Sequence, residues 1–124
     1  MKIFIVDDNQ RIRKLIKKHL EQLSVPVEVF EYENGESAVS NFQKSQPDLI
    51  LMDIMMKGMD GLTAIKEIRK ISTDVKIIAV SQLPEEEYKT ETISIGANDY
   101  LNKENLSKLP DMINEFLKTN NKNM

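Results

Sequence analysis

Short apolar runs and longer amphipathic stretches alternate along this chain. Residues 2–6, 27–32, 48–52, 75–80 and 98–102 are compact and β-compatible, and Ile50-Leu51-Met52 and Ile77-Ile78-Ala79-Val80 are apolar at consecutive positions. Apolarity on both faces over so few residues predicts strands covered on both sides, as in a parallel sheet. Between them, apolar residues recur at helical spacing. Ile12, Leu15, Ile16, Leu20 and Leu23 mark a first helix, Ala38, Val39 and Phe42 a second, and Leu62, Ile65, Ile68 and Ile71 a third. Leu106, Leu109, Met112, Ile113, Phe116 and Leu117 mark the last. Each set predicts one buried stripe. The stretch 85–95 has only Tyr88, Thr92 and Ile95 on its stripe. Pro84 followed by Glu85, Glu86 and Glu87 nevertheless marks a helix start, where carboxylates meet the positive end of the dipole.

Five strand–helix units in strict alternation predict an α/β fold, a doubly wound five-stranded parallel sheet between two layers of helices. Right-handed crossovers put the C-terminal ends of the strands along one edge. One domain over residues 1–119 is expected, with 120–124 a frayed tail or the start of a linker.

Composition narrows the function classes. With 124 residues and 40% hydrophobic content the chain fits a single core. Seventeen Lys and Arg against twenty Asp and Glu leave a net charge of −3, so bulk electrostatics give no reason to bind nucleic acid or an anionic membrane. The absence of cysteine excludes disulfides, thiol catalysis and Cys-ligated metals. The first apolar run meets Asp7 and Asp8 too early for a signal peptide. No run approaches the roughly 20 apolar residues that span a bilayer. A cytoplasmic protein without membrane attachment is expected.

In open parallel sheets, ligands bind beyond the carboxyl ends of the strands. There the pattern puts Asp7 and Asp8 after strand one, Asp53 after strand three, Ser81 after strand four and Lys103 after strand five. Two carboxylates about 4 Å apart repel by about 4 kcal/mol at an effective dielectric of about 20, so three of them call for a cation, a proton, or both. Oxygen ligands without imidazole or thiolate favour a hard ion such as Mg²⁺. With Lys103 as a second positive charge and Ser81 as a donor, the set suits transfer of a phosphoryl group onto a carboxylate.

These residues sit within segments that together resemble the receiver (CheY-like) domain of two-component response regulators, over nearly the whole chain. The segments are Phe4-Ile5-Val6-Asp7-Asp8-Asn9, Pro47-Asp48-Leu49-Ile50-Leu51-Met52-Asp53-Ile54-Met55-Met56, Met59-Asp60-Gly61, Ala79-Val80-Ser81 and Gly96-Ala97-Asn98-Asp99-Tyr100-Leu101-Asn102-Lys103. The resemblance implies a flavodoxin-like sheet of strand order 2-1-3-4-5. It implies that Asp53 is the phosphoacceptor, charged by a histidine kinase or phosphotransfer protein. It implies a Mg²⁺ site of Asp8 and Asp53, with Asp7 acting mainly through a metal-bound water and Met55 through its backbone carbonyl. Ser81 and Lys103 would meet the phosphoryl oxygens, and Ser81 and Tyr100 would form the switch, the hydroxyl moving toward the phosphate as the aromatic ring turns inward. The switched output surface would be helix four, strand five and helix five, read by a downstream protein or output domain. Two copies could pair through it once phosphorylated.

Three positions depart from the common pattern. Lys57 and Glu104 stand where proline is usual, so a trans Lys103–Glu104 peptide is expected, and Gln82 stands where many members have a small residue. Ser81, the bulky residue after it and the absent proline are also similar to receivers attached to LuxR-type helix-turn-helix outputs, so a receiver fragment of a DNA-binding regulator is the alternative. The chain itself has no recognition helix for direct DNA contact. A small aspartyl-phosphate phosphohydrolase fits less well, because Met55 occupies the place of its second acid. A flavodoxin-like electron carrier would want a Ser/Thr/Gly phosphate loop after strand one, and a receiver that is never phosphorylated would not keep all five site residues. Among other residues, His19 reads as a surface or boundary histidine. Met52, Met55, Met56 and Met59 read as packing. Arg11, Arg13, Lys14, Lys17 and Lys18 form a basic face on helix one that is either solvated or a docking site for the phosphodonor.

Overall fold

The computed structural model describes residues 1–122. Five strands, β1 (Lys2–Val6), β2 (Glu28–Tyr32), β3 (Leu49–Met52), β4 (Lys76–Ser81) and β5 (Asp99–Asn102), form one parallel sheet in the order β2-β1-β3-β4-β5. Five helices alternate with them: α1 (Gln10–Leu20), α2 (Gly35–Ser45), α3 (Gly61–Ile71), α4 (Glu85–Ser94) and α5 (Leu109–Lys122). A 3-10 helix, Lys103–Lys108, separates β5 from α5, so Leu106 belongs to that turn rather than to the last helix. Residues 120–122, expected as a frayed tail, continue α5; the last two residues of that expected tail lie outside the described residues.

Side-chain alternation along the strands builds two cores. Phe4, Val6, Ile50, Met52, Ile77, Ala79 and Tyr100 point to the face covered by α2, α3 and α4. Ile3, Ile5, Leu49, Leu51, Ile78, Val80 and Leu101 point to the face covered by α1 and α5. The consecutive apolar runs seen in the sequence are therefore strands with both faces buried. Each of α1, α2 and α3 opens on a side-chain cap: Asn9, Asn34 and Asp60 accept from backbone N–H groups of the first turn. Among the described residues no helix is long and apolar enough to cross a membrane, and no peptide bond is cis, Lys103–Glu104 included.

Candidate phosphoacceptor site

Strand register brings the acids together. Val6 pairs with Met52, so Asp7 and Asp53 are the first residues past two neighbouring strands, whose axes lie about 4.8 Å apart. The Asp53 N–H donates to the Val6 carbonyl at 2.9 Å, and the Asp7 N–H to the Tyr32 carbonyl at 3.1 Å. Both carboxylates are buried while Asp8 is exposed. One carboxylate oxygen from each of the three lies within 4.8 Å of the others.

The two buried acids are each held in place from the backbone. The Asn9 N–H donates to Asp7 Oδ1 at 2.8 Å, at the mouth of α1, and the Met55 N–H donates to Asp53 Oδ1 at 3.1 Å. Lys103, the first residue of the 3-10 helix, reaches both: its Nζ lies 2.8 Å from Asp7 Oδ2 and 3.3 Å from Asp53 Oδ2. Burial draws the Lys103 ammonium toward lower pKa, but the two aspartates outweigh it and the net direction is up. Asp53 is pushed up to about 6, first by burial and then by the Asp7 charge, against the Met55 N–H and Lys103. A carboxylate so placed wants more positive charge than one lysine supplies. All-oxygen donors at this spacing fit a hard divalent cation.

The five residues assigned to this edge from the sequence arrive there, with one adjustment. Ser81 is the last residue of β4, not a residue after it, and is fully buried; its Oγ accepts from the Leu83 N–H at 3.0 Å. The cleft over the acids, about 230 Å³, is lined by Asp8, Asn9, Asp53, Met55, Gln82 and Lys103. Gln82 therefore stands at its wall, where its bulk can limit water access. Tyr100 lies in β5 with its ring buried and its hydroxyl donating to the Leu83 carbonyl at 2.7 Å. His19 is half-buried in the last turn of α1, at the opposite end of that helix from Asp7 and Asp8. A larger cleft, about 720 Å³, opens at the opposite edge beside Asp48 and Asp74. Among the described residues, however, the acids at the carboxyl edge form the one three-ligand cluster.

Arg13 was expected on the exposed basic face of α1, whether solvated or docking a phosphodonor, and is instead buried. Its Nη1 donates to the Asp7 carbonyl at 2.6 Å and its Nε to Glu31 Oε1 at 3.0 Å. Lys17 joins the same Glu31 at 3.0 Å and, with Arg13, holds that carboxyl below its usual range against the opposing effect of burial. The basic face thus reduces to Arg11, Lys14 and Lys18, which are exposed and make no ion pair with any described residue. Glu36 was also missed: it accepts a hydrogen bond from the Met59 N–H, anchoring the loop that carries Met55 and Lys57.

A parallel sheet whose carboxyl edge gathers three aspartates, two of them meeting one lysine, defines an α/β domain with an acidic, cation-compatible site at that edge. The chain belongs to the response regulator receiver domain family, whose family model matches residues 3–114. It is 40% identical over 100 residues to chemotaxis protein CheY of Bacillus subtilis (strain 168), which covers 81% of this chain and 82% of that protein. It is 36% identical over 104 residues to transcriptional regulatory protein DegU of Brevibacillus brevis, covering 84% of this chain but 44% of that one. The receiver domain of Francisella response regulator 1452 superposes with a TM-score of 0.85 at 28% identity, covering 96% of this chain and 98% of that domain.

Proposed function

We propose that Asp53 accepts a phosphoryl group from a phosphohistidine on a histidine kinase or phosphotransfer protein, and that the resulting charge switches an output surface. An Asp53 carboxylate oxygen forms the new bond to phosphorus as the phosphorus–nitrogen bond breaks, its electron pair staying on the donor imidazole. Asp7, Asp8, Asp53 and the Met55 carbonyl are the groups that would hold Mg²⁺. Bound there, the ion supplies positive charge to the oxygens of the transferring group. Lys103 offsets a further part of that charge, and the Ser81 hydroxyl donates to a phosphoryl oxygen. The observation that carries this reading is the ammonium of Lys103 within 2.8 Å of Asp7 and 3.3 Å of Asp53, beside a third acid.

Met55, two residues after Asp53, cannot protonate a leaving group, which favours a switch over a turnover hydrolase. The signal leaves through α4, β5 and α5 to a downstream protein, or to an output domain if residues 1–119 are the input half of a longer regulator. The match to CheY supports the first route and the partial coverage of DegU the second. Intact-mass measurement after incubation with acetyl phosphate tests the core of the reading. The parent chain gains one phosphoryl group with Mg²⁺ and not without it, and Asp53→Asn gains none; uptake by Asp53→Asn contradicts the assignment.

A further inference from the structure

Leu83 sits in the turn between β4 and α4, and both its backbone N–H and its backbone carbonyl are hydrogen-bonded to side chains. Its N–H donates to Ser81 Oγ at 3.0 Å. Its carbonyl accepts from the Tyr100 hydroxyl at 2.7 Å and from Asn102 Nδ2 at 3.1 Å. The other end of the Asn102 side chain, Oδ1, accepts from the Glu104 N–H at 2.9 Å, capping the 3-10 helix that begins with Lys103. Ser81 and Asn102 are paired in register at the ends of β4 and β5. One planar amide therefore joins the turn that follows Ser81 to the turn that carries Lys103.

We propose that Asn102 is a positioning residue whose side-chain amide fixes these two turns relative to each other, and with them the placement of Ser81 and Lys103 about the phosphoryl group. This rests on the reading of Asp53 as phosphoacceptor. Capping alone does not account for the residue: the Glu104 N–H needs only an acceptor, which serine or aspartate offers equally. The donor half, Nδ2, is what a cap does not use. Nor is Nδ2 required to satisfy a buried acceptor, because Tyr100 already bonds the Leu83 carbonyl. Its effect is to restrain the turn from a second direction, along a line that ends at the residue before Lys103. Freed of that restraint, the turn spends less time in the arrangement that presents Ser81, and the apparent reactivity of the site falls by the lost fraction.

Asn102→Ser separates the two halves, keeping a hydroxyl for the Glu104 N–H while being too short to reach Leu83; Asn102→Ala removes both. Uptake from acetyl phosphate with Mg²⁺ is followed by intact mass, and the Leu83 amide and Tyr100 ring by NMR. The expected result is that Asn102→Ser takes up phosphoryl groups about fivefold more slowly, the scale of one hydrogen bond, with shifted Leu83 and Tyr100 signals. Parent-like uptake by Asn102→Ser overturns the proposal, whether Asn102→Ala is slowed (a cap only) or not. A parent chain that takes up no phosphoryl group counts against the phosphoacceptor reading instead. The NMR signals then decide the role of Asn102, shifted signals supporting it and unchanged ones overturning it.

Discussion

Asp53 is held in a setting that favours its neutral form. With its pKa pushed from 3.8 to about 6, the folded chain binds more protons there than the unfolded chain between those values. Stability therefore falls as pH rises through that window, and the deficit persists above it. Two pKa units correspond to about 3 kcal/mol. Without divalent cation, Asp53→Asn should raise stability at pH 7 by up to that amount, read by urea denaturation, and the gain should vanish below pH 4. A gain that is the same at both pH values contradicts the account. Gly61 sets a second residue-scale constraint. A Cβ there would lie 2.0 Å from the Asp53 carbonyl oxygen and 2.5 Å from the Ile54 Cα, so α3 starts where only glycine fits. Gly61→Ala should cost roughly 1–3 kcal/mol by the same denaturation measurement, as overpacking against backbone does, and should weaken Mg²⁺ binding by displacing Asp53. Wild-type stability in Gly61→Ala would show that the close approach yields freely. The acids, Ser81 and Lys103 were legible in the sequence because strand ends alone determine where they go. Arg13 was not, since helix spacing says which side of α1 a residue occupies but not that its guanidinium turns inward to the Asp7 carbonyl. Asn102 and Glu36 escaped for the same reason, because their partners lie on elements distant in sequence.

The elements differ in how firmly they are held. In α3, Ala64, Ile65 and Ile68 are fully buried, and Arg69 ties the helix end to Gly96 and Val75 carbonyls at 2.8 Å each. In α4 Thr92 alone is buried, Tyr88 and Ile95 are partly covered, Ile93 is exposed, and Pro84 offers no side-chain cap. The thin stripe over 85–95 was already visible in the sequence, and the fold keeps it thin. Hydrogen exchange should reach the amides of α4 well before those of α3; equal protection in the two would remove the argument that α4 is the element free to move on phosphorylation. The strands were read to within one residue at each end. Their exact starts depend on pairing partners, and Ser81 is drawn into β4 by Asn102 across the ladder. The 3-10 turn was merged with α5 because Leu106 continues the apolar stripe of α5 even though the backbone does not.

At the scale of the whole molecule, the acidic notch lies beside the capped N-terminus of α1, which carries the exposed cations Arg11, Lys14 and Lys18. Such a stripe speeds encounter with an acidic partner more than it strengthens the final complex. Reversing all three charges should slow phosphotransfer from a donor protein by tenfold or more at low salt, with the difference shrinking as salt rises. Uptake from acetyl phosphate should be unchanged, and equal loss with both donors contradicts a docking role. The parallel sheet and the edge at which the chemistry lies follow from alternation and crossover handedness, whereas the order β2-β1-β3-β4-β5 was legible only through the family resemblance. The same topology makes the central claim narrow: one named carboxylate, at one rim, becomes the acyl phosphate. Borohydride reduction of the phosphorylated chain, followed by peptide sequencing, converts an aspartyl phosphate to homoserine and so marks its position. The account predicts homoserine at residue 53 and nowhere else. Homoserine at Asp7 or Asp8, or phosphoryl carried on His19 with residue 53 unmodified, contradicts it.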